Sequence, residues 1–403
     1  MPAASMKTTA KKLPGVARAA AVRRAMDLMA IPGKSKQESR VAEYIVARLR
    51  DAGIPQSAIS FDASVRDIPG GGEIGNLIVK LPGMLKAPRR MLMAHMDTVP
   101  LCVGARPVRK GPVIVSKDAH TALGADDRAG ASVVLTAALE ILRQKLPHPP
   151  LTLFWPVQEE IGLYGARFAD LSKLGQPELC FNWDGGDPEV AVTGATGDYN
   201  MEIEIAGIAS HAGVHPEHGV SAIAVAGLAV ADLVENGWHG LIQKGKHTGT
   251  SNIGFVHAGE ATNVVTPHLR LHAEVRSHDP KFRQRLRDEF ENAFVRAAKK
   301  VKNSRGETAK VRFVADLKYE SFRLDENQPC VRSAFRAIEA VGLTPCARIS
   351  NGGLDANWTS ARGLPTVTLG AGMLEVHTVN EALDIEQYLH ACRIGLLLAT
   401  AAV

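Results

Sequence analysis

Acidic residues and histidines recur in this chain next to short apolar segments, and these residue types hold metal ions in proteins. The residues concerned are His95, Asp97, Asp126, Asp127, Glu159, Glu160, Asp184 and His377. Each one alone has an ordinary explanation, such as a helix cap or a turn. If all of these side chains lie close together, however, the carboxylates repel one another and the buried polar groups lose solvation unless cations hold them. Their joint placement therefore predicts a metal centre.

The donor types select the metal. Imidazole nitrogen combined with carboxylate oxygen, without a thiolate, suits zinc, and cobalt or manganese could substitute for it. Calcium and magnesium prefer oxygen ligands alone, so two histidines argue against them. With several acids beside two histidines, one carboxylate can bridge two ions, and two ions about 3.5–4 Å apart are a recurrent arrangement in hydrolases. The chemistry expected is hydrolysis by metal-activated water.

Short strands alternating with helices must position these side chains. The predicted strands cover residues 75–81, 90–94, 151–155, 179–182 and 364–369, and the predicted helices cover 22–49 with a break at 31–33, 129–142 and 385–401. Such alternation indicates a parallel or mixed sheet covered on both faces. The carboxyl ends of its strands would line one crevice, where ligands bind in open α/β sheets. Most of the acids and histidines directly follow these ends.

The pattern changes near residue 196 to half-exposed strands. Strands are predicted at 199–205, 250–257, 269–276 and 309–316, and helices at 220–234 and 280–301. This is the order β-α-β-β-α-β of a ferredoxin-like unit. The predicted fold is therefore an α/β domain, with a mixed sheet flanked by helices, over residues 1–196 and 316–403. A smaller α+β domain over residues 197–315 interrupts it.

Composition excludes several classes of protein. The hydrophobic fraction of 45% is sufficient for buried cores. Five scattered cysteines without a CxxC pair indicate buried thiols in a reducing compartment, so a cytoplasmic location is expected. No apolar run approaches the ~20 residues that cross a bilayer, so no membrane association is expected. Nucleic acid is not an expected partner, because no aromatic residue is interleaved in the basic stretch 7–24.

Two further segments have plain interpretations. The basic stretch 7–24 is expected to be a solvated start that leads into a helix. The segment 70–75 fits the G-x-G-x-x-G pattern of dinucleotide-binding proteins, but it precedes a predicted strand instead of following one and opening a helix. It is therefore predicted to be a loop.

A series of motifs resembles those of the peptidase T, carboxypeptidase G and acylase family of two-zinc hydrolases. They are HMDTVP at 95–100, LGADDRAG at 123–130, QEEIGLYGA at 158–166, NWDGG at 182–186, SHAGVHPEHGVSAI at 210–223, NGGLDAN at 351–357 and GAGMLEVHTVNE at 370–381. The resemblance extends from about residue 20 to the end of the chain. The variant of each motif is most similar to peptidase T-like proteins.

The resemblance implies a ligand set for two zinc ions. His95 and Asp184 would bind one ion, Glu160 and His377 would bind the other, and Asp126 would bridge them. It also implies that Asp97 orients the His95 ring. Glu159 would be the general base for a water held between the ions, and it would pass the proton to the leaving amine. The peptide bond between Asp126 and Asp127 is expected to be cis.

The resemblance also implies a lid and dimerisation role for the smaller domain. His211 would stabilise the oxyanion from the partner subunit of a homodimer, unless it is an ordinary loop histidine. Asn263 and Arg276 would bind substrate, the arginine through a substrate carboxylate, although a strand-surface charge is an equal alternative for Arg276. Gly353 and Asp355 would shape the pocket, and Asp355 could instead cap local structure.

The activity that the resemblance implies is hydrolysis of amide bonds in short peptides, as in a tripeptide aminopeptidase. A carboxypeptidase and an N-acyl amino acid amidohydrolase share the same motifs and remain open, so the substrate is a short peptide or an N-acyl amino acid. A non-catalytic binding protein that kept the fold is the alternative from another class. The presence of all five ligands and of Glu159 argues against that alternative.

Overall fold

The computed structural model describes residues 13–401, and these form two compact units. The larger unit extends to Thr193 and resumes over Leu324–Ile349 and from Leu354 onward. The smaller unit comprises Gly194–Arg323 and Ser350–Gly353. These bounds describe which residues pack together. The predicted domain boundaries and the roles in catalysis, in lid formation and in dimerisation stay predictions. The start of the basic stretch, before residue 13, lies outside the described residues.

Helices and strands alternate along the larger unit. They are α1 (Arg18–Met29), α2 (Ser39–Asp51), β1 (Ile59–Phe61), β2 (Leu77–Leu81), β3 (Arg90–Met93), β4 (Pro107–Lys110), β5 (Val113–Ser116), α3 (Ala125–Gln144), β6 (Leu151–Trp155), α4 (Tyr164–Arg167), β7 (Leu179–Trp183), β8 (Val190–Ala195), and later α7 (Pro329–Ala340), β15 (Cys346–Ser350), α8 (Asp355–Ala361), β16 (Thr366–Leu369), β17 (Met373–Leu374), β18 (Ala382–Asp384) and α9 (Ile385–Thr400).

The main sheet of this unit has the strand order β1-β2-β6-β3-β7-β16-β8, and β15 also pairs with β8. Strand β3 runs parallel to both β6 and β7, and β16 runs parallel to β7, whereas β2 and β8 are antiparallel to their neighbours. Every residue of β3, β6, β7 and β16 is buried, which agrees with the predominance of apolar residues in these strands. The prediction of a mixed sheet flanked by helices is confirmed, and the parallel strands end at one edge.

The smaller unit contains a second sheet. Its elements are β9 (Gly197–Ala206), α5 (Ala222–Glu235), β10 (Gly240–Lys244), β11 (His247–Ala258), β12 (His268–Ser277), α6 (Pro280–Lys300), β13 (Lys310–Tyr319) and β14 (Phe322–Arg323). The sheet order is β10-β11-β12-β9-β13, and α5 and α6 pack against it around a core that includes Ile203, Val275 and Phe290. The predicted β-α-β-β-α-β order is present. Strand β10 is an addition that was not predicted, because this five-residue segment buries only Ile242.

The other expectations can be compared with the structure. Residues 70–75 form turns between a short 3₁₀ turn at Ser64–Arg66 and β2, so they are a loop as predicted. The cysteines are free, and all are buried except Cys346. The expectation of buried thiols is therefore wrong for Cys346, which lies in β15. Over residues 13–401, no helix combines the length and the apolarity that a membrane crossing requires. The cytoplasmic location stays a prediction.

Candidate metal centre

The central parallel strands bring the predicted ligands to one edge of the larger unit. His95 follows β3, Glu160 follows β6 and Asp184 follows β7 directly. His377 lies in the loop between β17 and β18, which the chain reaches soon after β16. Asp126 lies in the first turn of α3, where its backbone is not helical. The shared strand direction is thus the reason that residues far apart in sequence meet.

Asp126 lies between two imidazole rings. Its Oδ1 atom is 3.3 Å from Nε2 of His95, and its Oδ2 atom is 3.2 Å from Nε2 of His377. Glu160 joins the group, since its Oε2 atom is 3.0 Å from the same nitrogen of His377. His95, Asp126 and Glu160 each offer a ligand atom within 4.8 Å of the others. A carboxylate whose two oxygens face different histidines has the geometry needed to bridge two ions.

The acids and histidines of this cluster shift one another's pKa values. Burial alone would raise the pKa of Asp126, but the imidazoles of His377 and His95 outweigh it and lower that pKa. Asp126 and Glu160 in turn raise the pKa of His377 to about 10. Burial, with the neighbouring charge of Asp126, raises the pKa of Asp184 to about 7. These opposing shifts show that the acids need positive charge close to them in order to ionise together.

Divalent cations fit this donor set. Buried oxygens without a hydrogen-bond partner include Oε1 of Glu160, Oδ2 of Asp127 and both carboxylate oxygens of Asp355. Leaving such oxygens unpaired is costly, and a cation between the carboxylates would remove part of that cost. Two imidazoles with several carboxylates and no thiolate suit zinc, cobalt or manganese better than calcium or magnesium.

Asp97 links the first histidine to the turn that carries both glutamates. Its Oδ1 atom lies 3.3 Å from Nδ1 of His95 and accepts the backbone N–H of Glu159 at 3.0 Å. Its Oδ2 atom accepts the backbone N–H of Glu160 at 3.3 Å and the hydroxyl of Ser35 at 2.6 Å. One buried carboxylate therefore fixes the ring of His95 relative to Glu159 and Glu160.

Glu159 differs from its neighbour in its surroundings. Its side chain is largely buried, and burial raises its pKa well above the ordinary range. The charges of Asp184, Asp355 and Glu160 raise this pKa further, whereas that of His95 opposes the shift. Cations in the cluster would lower this pKa again. A carboxylate with increased proton affinity beside a hydrolytic centre has the property that a general base needs.

Three supporting residues were not singled out from the sequence. Glu381, which is almost completely buried, accepts the backbone N–H of Gly124 at 2.6 Å and that of Asp126 at 3.0 Å. It holds the turn that carries Asp126, where the peptide bond to Asp127 is cis, as predicted. Glu381 ends the motif at 370–381, but nothing local in the sequence indicates that its carboxylate reaches a turn 255 residues away.

The other two supporting residues are Ser35 and Glu38. Ser35 contacts Asp97, as described above, and Glu38 accepts the backbone N–H groups of Lys36 at 2.9 Å and Gln158 at 3.1 Å. Burial, together with the charge of Asp97, raises the pKa of Glu38 to about 7. In the sequence, Ser35 and Glu38 are notable only for their position after the predicted break at 31–33. Polar residues are also common at the start of a helix, so this position did not reveal their role.

Glu381→Gln is expected to weaken metal binding, because the glutamine oxygen can accept only one of the two backbone N–H groups and its NH₂ group accepts neither. Loss of a group that orients a ligand costs about 10–100-fold in metal affinity. Zinc titration of the metal-free protein with a competing chelator measures this change. Glu375→Gln, an exposed change in the same part of the chain, is the matched control and should bind as the wild type does. Equal affinity in all three proteins would show that Glu381 does not position the centre.

The structure places the remaining predicted site residues as follows. His211 and Asn263 are neighbours in the smaller unit, since the N–H of Ala212 donates to the carbonyl of Asn263 at 2.9 Å and His211 pairs with Val264. Nδ1 of His211 accepts the N–H of Gly213 at 3.2 Å. Both residues are exposed or partly exposed.

Arg276 forms a bidentate ion pair within the same unit. Its Nε and Nη2 atoms lie 3.0 and 2.9 Å from the two carboxylate oxygens of Glu274, and Nη1 donates to the carbonyl of Asn351 at 3.4 Å. This ion pair agrees with the interpretation of Arg276 as a charge on the surface of a strand. Gly353 allows a close approach of Tyr319, because a Cβ atom there would lie 2.6 Å from the ring.

Asp355 lies in the larger unit at the start of α8 and is fully buried. Neither of its carboxylate oxygens has a hydrogen-bond partner, so its side chain does not cap the helix. Burial and the charges of Asp184 and Asp97 raise its pKa well above the ordinary range, against the effect of His95. Asp355 is therefore a buried carboxylate without a hydrogen-bond partner, and the charges of Asp184 and Asp97 oppose its ionisation.

Comparison with known proteins decides the family. The model of peptidase family M20/M25/M40 matches residues 91–401. The chain belongs to this family. It is accordingly a hydrolase of the metallopeptidase class and a peptidase T-like member, which confirms the resemblance seen in the motifs. The complete set of acids and histidines described above agrees with an enzyme and not with a binding protein.

Individual relatives span nearly the whole chain. The uncharacterized protein YqjE of Bacillus subtilis is 30% identical over 363 residues, which cover 90% of this chain and 92% of YqjE. The crystal structure of aminopeptidase PepT from Bacillus cereus has a TM-score of 0.83 at 30% identity and covers 95% of this chain and 98% of its own. That of a tripeptidase from Staphylococcus aureus has a TM-score of 0.85 at 28% identity, with 95% and 99% covered.

Proposed function

We propose that this M20 peptidase is a two-zinc aminopeptidase that hydrolyses amide bonds in short peptides, with cobalt or manganese able to replace zinc. The observation that carries the proposal is Asp126, whose two carboxylate oxygens face His95 and His377. Similarity to an aminopeptidase and a tripeptidase supports a short peptide with a free amino terminus as the substrate.

The ligands divide into two sets around Asp126. His95 and Asp184 would hold one ion, and Glu160 and His377 would hold the other. The contact of 3.0 Å between Glu160 and His377 supports the second set. For the first set, the support is that His95 and Asp184 follow β3 and β7, two strands that pair in parallel and end at the same edge of the sheet.

Side chains around the ions transfer a proton from the attacking water to the leaving amine. When bound, the two cations supply Lewis-acid chemistry, which acidifies water and polarises the scissile carbonyl. Glu159 takes the proton from the attacking water on its carboxylate and delivers it to the nitrogen of the leaving amine. Asp97 holds the backbone of Glu159 and Glu160, so that one side chain serves as base while its neighbour serves as ligand.

A panel of substrates tests the specificity. The purified protein, loaded with zinc or cobalt, should cleave di- and tripeptides with a free α-amine and leave the same peptides with an acetylated amine intact. Cleavage that tolerates the blocked amine but requires a free carboxyl group would instead show a carboxypeptidase. Preference for N-acyl amino acids would show an amidohydrolase. Either of these results would overturn the aminopeptidase assignment.

A homodimer is part of the proposal. Apolar side chains are exposed on α5 and the neighbouring edge strand β10, namely Ile223, Leu228, Val234 and Leu241, with exposed fractions from 44% to 70%. Exposed apolar side chains on a helix and on an edge strand are positions at which a second copy, related by two-fold symmetry, can pack. In such a dimer, His211 of one subunit would donate a hydrogen bond to the developing oxyanion at the other subunit's centre.

His211→Ala should lower turnover of the preferred peptide while zinc content stays at the wild-type level, because His211 is not a metal ligand in this proposal. Removing one oxyanion donor costs about 10²–10³-fold in kcat. Mixed subunits provide the decisive measurement. A dimer of Glu159→Gln subunits and a dimer of His211→Ala subunits are each defective. In a mixed dimer, however, the His211→Ala subunit keeps its own Glu159 and receives His211 from the Glu159→Gln subunit, so one site is complete.

Random exchange of such subunits makes half of the dimers mixed, so about a quarter of the wild-type activity should return. Activity should return only after the subunits have exchanged, for example on dilution and reconcentration. A mixture that stays inactive although mass spectrometry detects mixed dimers would show that His211 does not act across subunits. Wild-type turnover of His211→Ala alone would remove its catalytic role.

A further inference from the structure

The smaller unit holds a second group of metal-binding side chains that has no part in the proposed catalytic centre. His215, Glu217 and His218 each offer a ligand atom within 4.8 Å of the other two. Oε1 of Glu217 lies 3.3 Å from Nδ1 of His215 and 3.5 Å from Nε2 of His218. All three side chains are exposed, so solvent and ions reach them directly.

The backbone beneath these side chains is well fixed. Residues Pro216–His218 form a 3₁₀ turn, in which the N–H of His218 donates to the carbonyl of His215 at 3.1 Å. The ring of Pro216 also fixes its own φ angle. From outside the turn, the N–H of Ser304 donates to the carbonyl of Glu217 at 2.7 Å, and the side-chain amide of Asn303 donates to that of His218 at 3.1 Å.

We propose that His215, Glu217 and His218 bind a divalent d-block cation, namely zinc, nickel or copper, with water completing the coordination. Ligand atoms about 2.0–2.2 Å from a shared tetrahedral ion are about 3.3–3.5 Å from one another, which matches the two distances to Glu217. The two imidazole rings are stacked, with 15° between their planes and centroids 4.8 Å apart, so binding requires one of these exposed side chains to rotate. Two imidazoles select d-block cations over calcium or magnesium.

The bound cation would restrain the loop that carries His211. The N–H groups of Val214 and His215 both donate to the carbonyl of His211, at 3.2 and 3.0 Å. A cation that joins His215 to His218 therefore stiffens a hydrogen-bonded segment that begins at His211. Zinc should slow amide hydrogen exchange within residues 211–219, and this effect does not depend on catalysis.

Zinc binding to the metal-loaded protein tests the site. The wild type, a His215→Ala/His218→Ala double variant and a His120→Ala/His257→Ala control would be saturated with zinc, passed through a desalting column and analysed for metal. The control removes the same number of histidines, both from exposed positions. The wild type and the control should retain one more zinc per chain than the double variant. Glu217→Gln should weaken this binding at least ~10-fold, since even an outer-sphere change costs about that much.

Several results would overturn the proposal. Equal zinc content in all three proteins would show that His215 and His218 do not hold a metal ion. The same loss in the control as in the double variant would show nonspecific binding to surface histidines. Zinc that leaves hydrogen exchange in residues 211–219 unchanged would contradict binding at this turn. Because the readout is a difference between variants, it does not depend on how many ions the proposed catalytic centre holds.

Discussion

Glu159→Gln is expected to lose nearly all peptide hydrolysis while its zinc content stays unchanged. Glutamine keeps the shape of the side chain but cannot take a proton from water, and general base catalysis contributes about 10²–10⁴-fold. The backbone N–H of Glu159 would still donate to Asp97, so the turn that carries Glu160 should keep its place. Turnover of a tripeptide and elemental analysis of the same preparation measure the two quantities.

The control for this change is Glu43→Gln, which removes an exposed carboxylate from α2. It should match the wild type in both turnover and metal content. If Glu159→Gln instead loses zinc, Glu159 is a ligand and the division of labour with Glu160 is wrong. If it retains zinc and full turnover, another group takes the proton.

Asp126→Ala is expected to lose both ions and all measurable turnover. Asp126 is the residue that contacts both His95 and His377, so its removal takes a ligand from each ion. Asp184→Ala provides the contrast, because Asp184 is proposed to hold only the ion that His95 shares. That variant should retain the ion held by Glu160 and His377. Metal analysis after dialysis, with thermal unfolding as a check of folding, measures both variants.

The stoichiometries distinguish the possible arrangements. An Asp126→Ala protein that retains two zinc ions would rule out the bridge. The loss of a single ion from Asp126→Ala, as from Asp184→Ala, would mean that Asp126 serves one ion only. A large drop in melting temperature for the metal-free Asp126→Ala protein, relative to the metal-free wild type, would indicate a structural role instead.

The sequence predicted the framework of the larger unit because its determinants are local. The strands β3, β6, β7 and β16 are fully buried and predominantly apolar, and acids or histidines follow their ends. Parallel strands must end at the same edge, so the meeting of His95 and Glu160 could be expected from strand direction alone. The separate roles of Glu159 and Glu160 could not, since both follow the same strand and only the resemblance distinguished them.

What the sequence did not predict depends on contacts between distant residues. Glu381 reaches Gly124 and Asp126 from the far end of the chain, and Ser35 reaches Asp97 from the loop after α1. No periodicity or spacing records such a pairing, because each residue taken alone resembles a solvated polar side chain. Strand β10 was missed for a different reason: it lies at the edge of its sheet, where little burial is needed to hold a short strand.

Anomalous X-ray diffraction from crystals grown with zinc tests the bridge most directly. Data collected on either side of the zinc absorption edge should show two peaks in the larger unit, about 3.5–4 Å apart. One peak should contact His95 and Asp184, the other Glu160 and His377, and Asp126 should contact both. A single peak, or two peaks of which only one contacts Asp126, would contradict the proposed two-zinc centre.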